Sequence, residues 1–200
     1  MDLVGFFLSQ HAAVHAIDVS GRAFGTQRIF SDLSDDQMRI RPGKGLNSLV
    51  WLLWHMARTE DVAVNLVVAG RDQILDEAWM RRMNLPWRII GTGMTDNEVT
   101  EMTTQADVAA VRAYRTAVGI RTREVVQGLR ADAWTDIITD EDIKRAAATG
   151  AFRDWVEGVT YPWVGWSRAD QLASSALRHN AAHLGEAVTI RGLAGFGLGI

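Results

Sequence analysis

Residues 47–70, NSLVWLLWHMARTEDVAVNLVVAG, decide the fold of this chain. The opening of the stretch, residues 49–54, is apolar all round, which is typical of a helix that partner helices surround. Asn47 is a favourable N-cap residue, and Gly70 is favourable just beyond a helix C-terminus. We therefore predict a buried helix over about Ser48–Ala69.

Helical spacing of apolar residues dominates the rest of the chain, and alternating strand patterns are nearly absent. Three further long helices are predicted over about Asp2–Ile29, Ala106–Leu129 and Arg168–Gly192. The long connection Arg71–Gly93 is predicted to carry a short helix and to pack as a flap over the bundle. Four long helices with such a connection predict an all-α fold, a four-helix bundle with a long crossover connection, in one domain over residues 1–200.

Between the third and fourth long helices the sequence is mixed. We predict a short helix over Asp140–Ala148 and a turn-rich stretch over Tyr161–Trp166, which contains Pro162 and Gly165.

The composition limits which kinds of chemistry the chain can perform. It has 200 residues, 48% hydrophobic and 22% charged, with a net charge of −3, so no basic surface for nucleic acid is indicated. The chain has no cysteine, which excludes a disulfide framework, thiolate metal ligands and a cysteine nucleophile. No apolar run is long enough to cross a membrane, and the N-terminal residues lack the features of a signal peptide. We therefore expect a cytoplasmic protein.

Four of the five histidines form two pairs with a spacing of four residues. His179 and His183 project from one face of the fourth helix, so both imidazoles can bind the same ion. His55, in the most apolar helix, is the predicted third ligand. Imidazole nitrogens suit zinc, nickel, copper or iron. A chance pairing on the surface or in the core is the alternative for His179 and His183, and a hydrogen-bonded core residue is the alternative for His55.

Glu186 lies within the same narrow arc of the fourth helix as His179 and His183. It is predicted as a fourth ligand, as a hydrogen-bond partner of a ligand, or as a catalytic general base. Three protein ligands with one open position are typical of catalytic zinc sites, where the metal lowers the pKa of a bound water or thiol. His11 and His15 have the same four-residue spacing, and we interpret them as structural or as lining the same bundle interior.

Two motifs resemble those of the DinB-like superfamily. The first is Arg41-Pro42 followed by residues 47–60, NSLVWLLWHMARTE, and the second is residues 177–193, LRHNAAHLGEAVTIRGL, with the pattern H-x-x-x-H-x-G-E and a following I-R. The resemblance implies a down-up-up-down four-helix bundle, usually dimeric, with a divalent metal on His55, His179 and His183. Glu60 also matches the family pattern, but it lies about 140° round the helix from His55, so no ligand role is assigned to it.

The activity that this resemblance implies is transfer of a low-molecular-weight thiol, because characterised relatives use bacillithiol or mycothiol and include the mycothiol-dependent maleylpyruvate isomerase. We therefore expect a metal-dependent thiol S-transferase that uses zinc, nickel or iron and acts on an electrophilic small molecule, as a homodimer. One alternative is a metal-dependent hydrolase, with Glu186 as base to a metal-bound water. The other is a non-enzymatic dimeric stress or binding protein.

Overall fold

The described residues fold almost entirely into helices. The computed structural model describes residues 2–22, 24, 27–153 and 163–199. In chain order its helices are α1 (Leu3–Val14), α2 (Ile17–Ser20), α3 (Arg28–Ser31), α4 (Asp35–Met38), α5 (Leu49–Asp61, continued by π-helical Val62–Val68), α6 (Glu77–Met83), α7 (Asp96–Gln105), α8 (Val108–Gly128), α9 (Asp140–Ala147) and α10 (Arg168–Leu172, then π-helical Ala173–Arg178, then α-helical His179–Leu193). A 3₁₀ turn spans Asp132–Thr135. Among these residues the only β-type pairing is an isolated bridge between Ile137 and Ser167, so the predicted all-α class is confirmed.

The helix predicted from residues 47–70 is α5, at the centre of the core. Its first turn is capped by Ser48, whose hydroxyl accepts a hydrogen bond from the Trp51 amide at 3.2 Å, so the prediction of Asn47 as the cap was wrong by one residue. Gly70 follows the helix with a φ of 61°, the left-handed conformation that favours glycine. Every residue of Leu49–Val68 is buried, as its apolar character predicts.

The four long helices pack around this core. Helix α5 contacts α8 and α10, and α1 contacts the same two helices. Leu52 and Trp54 of α5 and Val111 and Val118 of α8 are fully buried in one apolar cluster. Each such side chain contributes roughly 1.5–3 kcal/mol to folding by leaving water, which holds α5 and α8 together.

The first long helix is much shorter than predicted. The expected helix over Asp2–Ile29 ends at Val14, because His15 takes an extended backbone conformation with φ −122° and ψ 167°. The short helix α2 follows and ends at Gly21, whose φ is 71°. The break turns the His15 imidazole toward Glu60 of α5, at 3.0 Å, so a contact between distant residues overrides the local helical pattern.

A buried polar network fixes the connection after α5. Asp61 accepts hydrogen bonds from the backbone amides of Ile74 and Leu75, at 2.8 and 3.0 Å, and from the Tyr114 hydroxyl of α8 at 2.5 Å. Arg58 donates to Asp61 at 3.2 Å and to the backbone carbonyl of Arg88 at 2.6 Å. The connection carries α6, as expected, and its end is held against α5.

The later part of the chain contains the predicted short helix. The helix expected over Asp140–Ala148 is α9. The turn-rich stretch expected over Tyr161–Trp166 lies partly outside the described residues, and a turn is present over residues 163–165. Within the described ranges, no helix combines the length and apolar character that crossing a bilayer requires.

Candidate metal centre

The structure brings together the three histidines that the sequence singled out. His55 lies in the middle of α5, and His179 and His183 lie one turn apart on α10. One ring nitrogen of each falls within 4.8 Å of the other two. The ring centroids are 4.5–4.9 Å apart, so the three imidazoles surround one common point.

The orientation of His55 is set by the connection that follows α5. Its Nδ1 donates a hydrogen bond to the backbone carbonyl of Ile90 at 2.5 Å. Because a carbonyl can only accept, this contact places the proton of neutral His55 on Nδ1 and leaves the Nε2 lone pair free. Trp51 stacks on the ring with centroids 4.6 Å apart. Gly91 is required here, because a Cβ at this position would lie 2.7 Å from Trp54 and 3.1 Å from His55 Nδ1.

His183 is oriented in the same way by a carboxylate. Its Nδ1 donates to Glu186 Oε2 at 2.8 Å, and Glu186 Oε1 accepts a hydrogen bond from the Asn47 side chain at 2.8 Å. The hydrogen bond from His183 is the main cause that lowers the pKa of Glu186, so the group is a carboxylate at neutral pH. His183 Nε2 is therefore the nitrogen left to bind an ion.

His179 completes the group. Its Nε2 lies 3.1 Å from His55 Nε2, so either a proton on His179 or a metal ion must separate the two nitrogens. Its Nδ1 is buried and has no hydrogen-bond partner among the described residues. Ligand histidines usually donate their other ring N–H to a carboxylate or a carbonyl. Two of the three rings, His55 and His183, do so, and three converging imidazole nitrogens are a donor set that fits a divalent transition metal.

Burial keeps two of these imidazoles neutral. It lowers the pKa of His55 to about 4, and the Ile90 carbonyl offsets only part of that effect. It lowers the pKa of His179 to about 3, helped by the neighbouring His55. Neutral imidazole is the form that binds a metal.

A second group of metal-ligand residues lies deeper in the core. His11 and His15 donate from Nε2 to the two oxygens of Glu60, at 2.9 and 3.0 Å, and the Asn180 amide donates to Glu60 Oε2 at 2.7 Å. All four residues are buried. The pKa of Glu60 lies well below its ordinary value, because the two histidines outweigh the effect of burial. Arg115 lies close enough to act electrostatically on Glu60, and its pKa is lowered to about 10 by burial.

Tautomer chemistry argues against a metal in this second group. Neither His11 Nδ1 nor His15 Nδ1 has a hydrogen-bond partner among the described residues. If the Nε2 atoms bound a metal, both Nδ1 atoms would carry protons, and two buried donors would remain unsatisfied at a cost of about 1–3 kcal/mol each. In the three-histidine group only one Nδ1, that of His179, lacks a partner among the described residues. With protons on Nε2, Glu60 accepts three hydrogen bonds and Arg115 balances its charge. The roles of His11 and His15 stay a prediction, and their hydrogen bonds to buried Glu60 support the structural interpretation.

Several residues of the site were not predicted from the sequence. Asn47 was interpreted as a helix cap, yet it holds Glu186. Ile90 contributes only a backbone carbonyl, which no sequence pattern reveals. Asn180 lies between the two predicted ligands of α10, and its hydrogen bond to Glu60 joins α10 to α5. The family motif, which includes Asn47, was the one signal that could have identified any of them.

Comparisons with known proteins agree with this architecture. A sequence profile of the DinB superfamily matches residues 25–187. Among solved structures, a conserved protein from Enterococcus faecalis has a TM-score of 0.69 and 17% sequence identity, over 96% of this chain and 97% of that one. At this identity the likeness shows the fold alone. No curated protein gives a significant match.

Proposed function

Because this chain belongs to the DinB superfamily, and because three of its histidine nitrogens converge on one point, we propose that it is a metal-dependent thiol S-transferase. His55, His179 and His183 would hold zinc, nickel or iron, and the substrate would be an electrophilic small molecule. The observation that carries the proposal is the orientation of two ligand rings, since the Ile90 carbonyl and the Glu186 carboxylate each accept a hydrogen bond from Nδ1–H and leave Nε2 for the ion.

The reaction class is RSH + R′X → RSR′ + HX, in which the thiol sulfur forms a bond to the electrophilic carbon and the leaving group departs with the thiol proton. A bound divalent ion supplies Lewis acidity that lowers the pKa of the thiol. The chain has no cysteine of its own, so the thiol must come from a small molecule. His183 is 22% exposed, which leaves one side of the group accessible to such a molecule.

Glu186 is proposed to act through His183 as a positioning residue. Both of its oxygens accept hydrogen bonds, one from His183 and one from Asn47. A hydrolase would instead need a carboxylate oxygen directed at a water on the ion. Both Glu186 oxygens are directed at protein donors, His183 and Asn47, which favours thiol transfer over hydrolysis. A purely structural ion would be enclosed by protein ligands, so the partial exposure of His183 disfavours a non-enzymatic protein with a structural metal.

The first test is elemental analysis of the untagged protein, its His55→Ala variant and an Arg178→Ala control. Arg178 is exposed and directly precedes His179, so its removal changes the same helix without removing a ligand. We expect about one transition metal per chain in the wild type and in the control, and none in His55→Ala. A wild type that contains no metal and takes up none from added zinc, nickel or iron would refute the proposal.

The second test separates the candidate reactions. The metal-loaded protein is assayed with 1-chloro-2,4-dinitrobenzene in the presence of a panel of small thiols, and with p-nitrophenyl acetate in the absence of thiol. Turnover that requires both metal and thiol supports the transferase. Metal-dependent ester hydrolysis without thiol, and no thiol transfer, would assign a hydrolase instead.

A further inference from the structure

A cavity of about 350 Å³ lies on the side of α5 away from the three histidines. Leu53 lines the cavity. It lies two positions before His55, so its side chain points about 200° round the helix from that of His55. Val14, Phe30 and Leu184 supply further apolar walls. The volume is at the lower end of the range for small-molecule sites, which are mainly apolar with a few polar groups.

Two arginines of α8 supply the charge of this cavity. Arg112 and Arg115 both line it, and their spacing of three residues places them on one face of the helix. Among the described residues, neither has a carboxylate oxygen within 4.0 Å. Arg112 donates to the Leu33 carbonyl at 3.3 Å, and Arg115 donates to the Val14 carbonyl at 2.8 Å. The direct hydrogen-bond partners of both guanidinium groups are thus neutral, and Arg115 has its buried counter-charge, Glu60, only at longer range.

Such cations are costly to bury without a nearby anion. Arg115 is buried and Arg112 is half-buried, and burial lowers the pKa of both arginines, yet each remains charged at neutral pH. The nearest acidic groups only partly compensate. Glu60 reaches Arg115 through Asn180, whose Oδ1 lies 3.4 Å from Arg115 and whose amide contacts Glu60. An anion that enters the cavity would meet the two arginines directly.

The rim of the cavity narrows the choice of anion. Asp18 is exposed at the rim and accepts a hydrogen bond from Thr116 at 3.1 Å. Its negative charge disfavours a dianion such as phosphate more than a monoanion. The planar fork of an arginine matches a carboxylate, and the apolar walls match a hydrocarbon body.

We propose that this cavity binds a small organic acid, with its carboxylate on Arg112 and Arg115 and its apolar body against Phe30, Leu53 and Leu184. The site is separate from the histidine group and does not depend on the metal or on thiol transfer.

Calorimetric titration with benzoate, with the neutral isostere benzamide and with inorganic phosphate tests this proposal on the full chain. The key variant is Arg112→Gln, which keeps a donor for Leu33 and removes the charge. The matched control is Arg121→Gln, further along α8 and outside the cavity. Ala16→Trp, at an exposed position of the rim, blocks the entrance without changing the core. His179→Ala reports binding at the histidine group.

We expect benzoate to bind the wild type, the Arg121→Gln control and His179→Ala with similar affinity. Arg112→Gln should weaken binding by at least about tenfold, since a charge-assisted bidentate contact is lost. Ala16→Trp should abolish binding while the circular dichroism spectrum stays the same. The proposal is overturned if benzoate does not bind, or if benzamide or phosphate binds as tightly as benzoate. It is also overturned if Arg112→Gln has no effect on benzoate binding, or if His179→Ala is the variant that loses it.

Discussion

The Nε2 atoms of His55 and His179 lie 3.1 Å apart, although 124 positions separate the two residues in the sequence. Helices α5 and α10 pack side by side, and each presents its histidine at the shared face. Two imidazole nitrogens this close need a proton or a cation between them. The neighbours that hold these rings in place should therefore control both metal binding and stability.

The first prediction concerns Gly91, which lies against the His55 ring. A Gly91→Ala Cβ would lie 2.7 Å from Trp54 and 3.1 Å from His55 Nδ1, at a φ of 96° that L residues rarely adopt. We expect a loss of more than about 2 kcal/mol in the free energy of unfolding, together with weaker metal binding. Urea denaturation and elemental analysis measure the two effects.

Gly165→Ala is the matched control for Gly91→Ala. Gly165 also has a positive φ, 84°, but no described atom lies within 4 Å of the position that an alanine Cβ would take there. Only the backbone cost of about 1–2 kcal/mol should therefore appear, with metal content unchanged. Equal effects of the two substitutions would show that contact with His55 is unimportant.

The second prediction concerns Glu186. In Glu186→Gln an NH₂ group replaces one carboxylate oxygen. The N–H of either His183 or Asn47 then points at another N–H group and loses its hydrogen-bond acceptor. We expect metal affinity to fall roughly 10–100-fold while the fold is retained, because the partner that orients a ligand is lost. Competition with a chromogenic chelator measures the affinity. Glu124→Gln, at an exposed position of α8, is the control, and an affinity equal to that of the control would contradict the positioning role.

The third prediction concerns Glu60. Glu60→Gln removes the charge that opposes Arg115 and places an amide against three hydrogen-bond donors, so we expect a loss of roughly 3–5 kcal/mol in the free energy of unfolding. Urea denaturation measures it against the Glu124→Gln control. Metal content at saturation should stay at one ion per chain. A fall from two ions to one would instead show that Glu60 is a ligand in a second metal site.

The fourth prediction concerns acid stability of the metal-free protein. Burial lowers the pKa of His15 to about 3 and that of His55 to about 4, from an ordinary value of 6.5. The unfolded chain therefore binds protons first as the pH falls. The contribution of these two histidines to the free energy of unfolding is therefore complete above pH 6.5. It is lost progressively as the pH falls from 6.5 toward their folded-state pKa values of about 4 and about 3.

Urea denaturation after treatment with EDTA measures this dependence. Each such histidine contributes a slope of up to about 1.4 kcal/mol per pH unit. Glu60 contributes mainly at lower pH, because its pKa lies well below the ordinary value of 4.5 in the folded protein and its unfolded-state carboxylate is protonated first as the pH falls toward that value. His15→Gln keeps a donor for Glu60 and removes one titrating group. The slope of the unfolding free energy against pH should therefore fall by the contribution of one histidine. A free energy of unfolding that is the same at pH 7 and pH 5 would refute the prediction.

Three of the four long helices could be predicted to within two residues of their ends. The reason is that capping residues and apolar spacing act over a few neighbouring positions, as Ser48 and Gly70 do for α5. The helix predicted over Asp2–Ile29 was wrong beyond Val14. There the extended conformation of His15 depends on Glu60, which lies 45 positions away.

The all-α class and the choice of His55, His179 and His183 could be predicted from the sequence, because helical spacing places His179 and His183 on one face and the apolar helix buries His55. Which ring nitrogen is free in His55 and in His183 depends on packing between distant segments, since the Ile90 carbonyl, Glu186 and Asn47 come from separate parts of the chain. The tertiary structure also decided that His11 and His15 contact Glu60 and that two arginines share a cavity. A side chain's hydrogen-bond partners depend on which segments pack together, and the local sequence does not encode that directly.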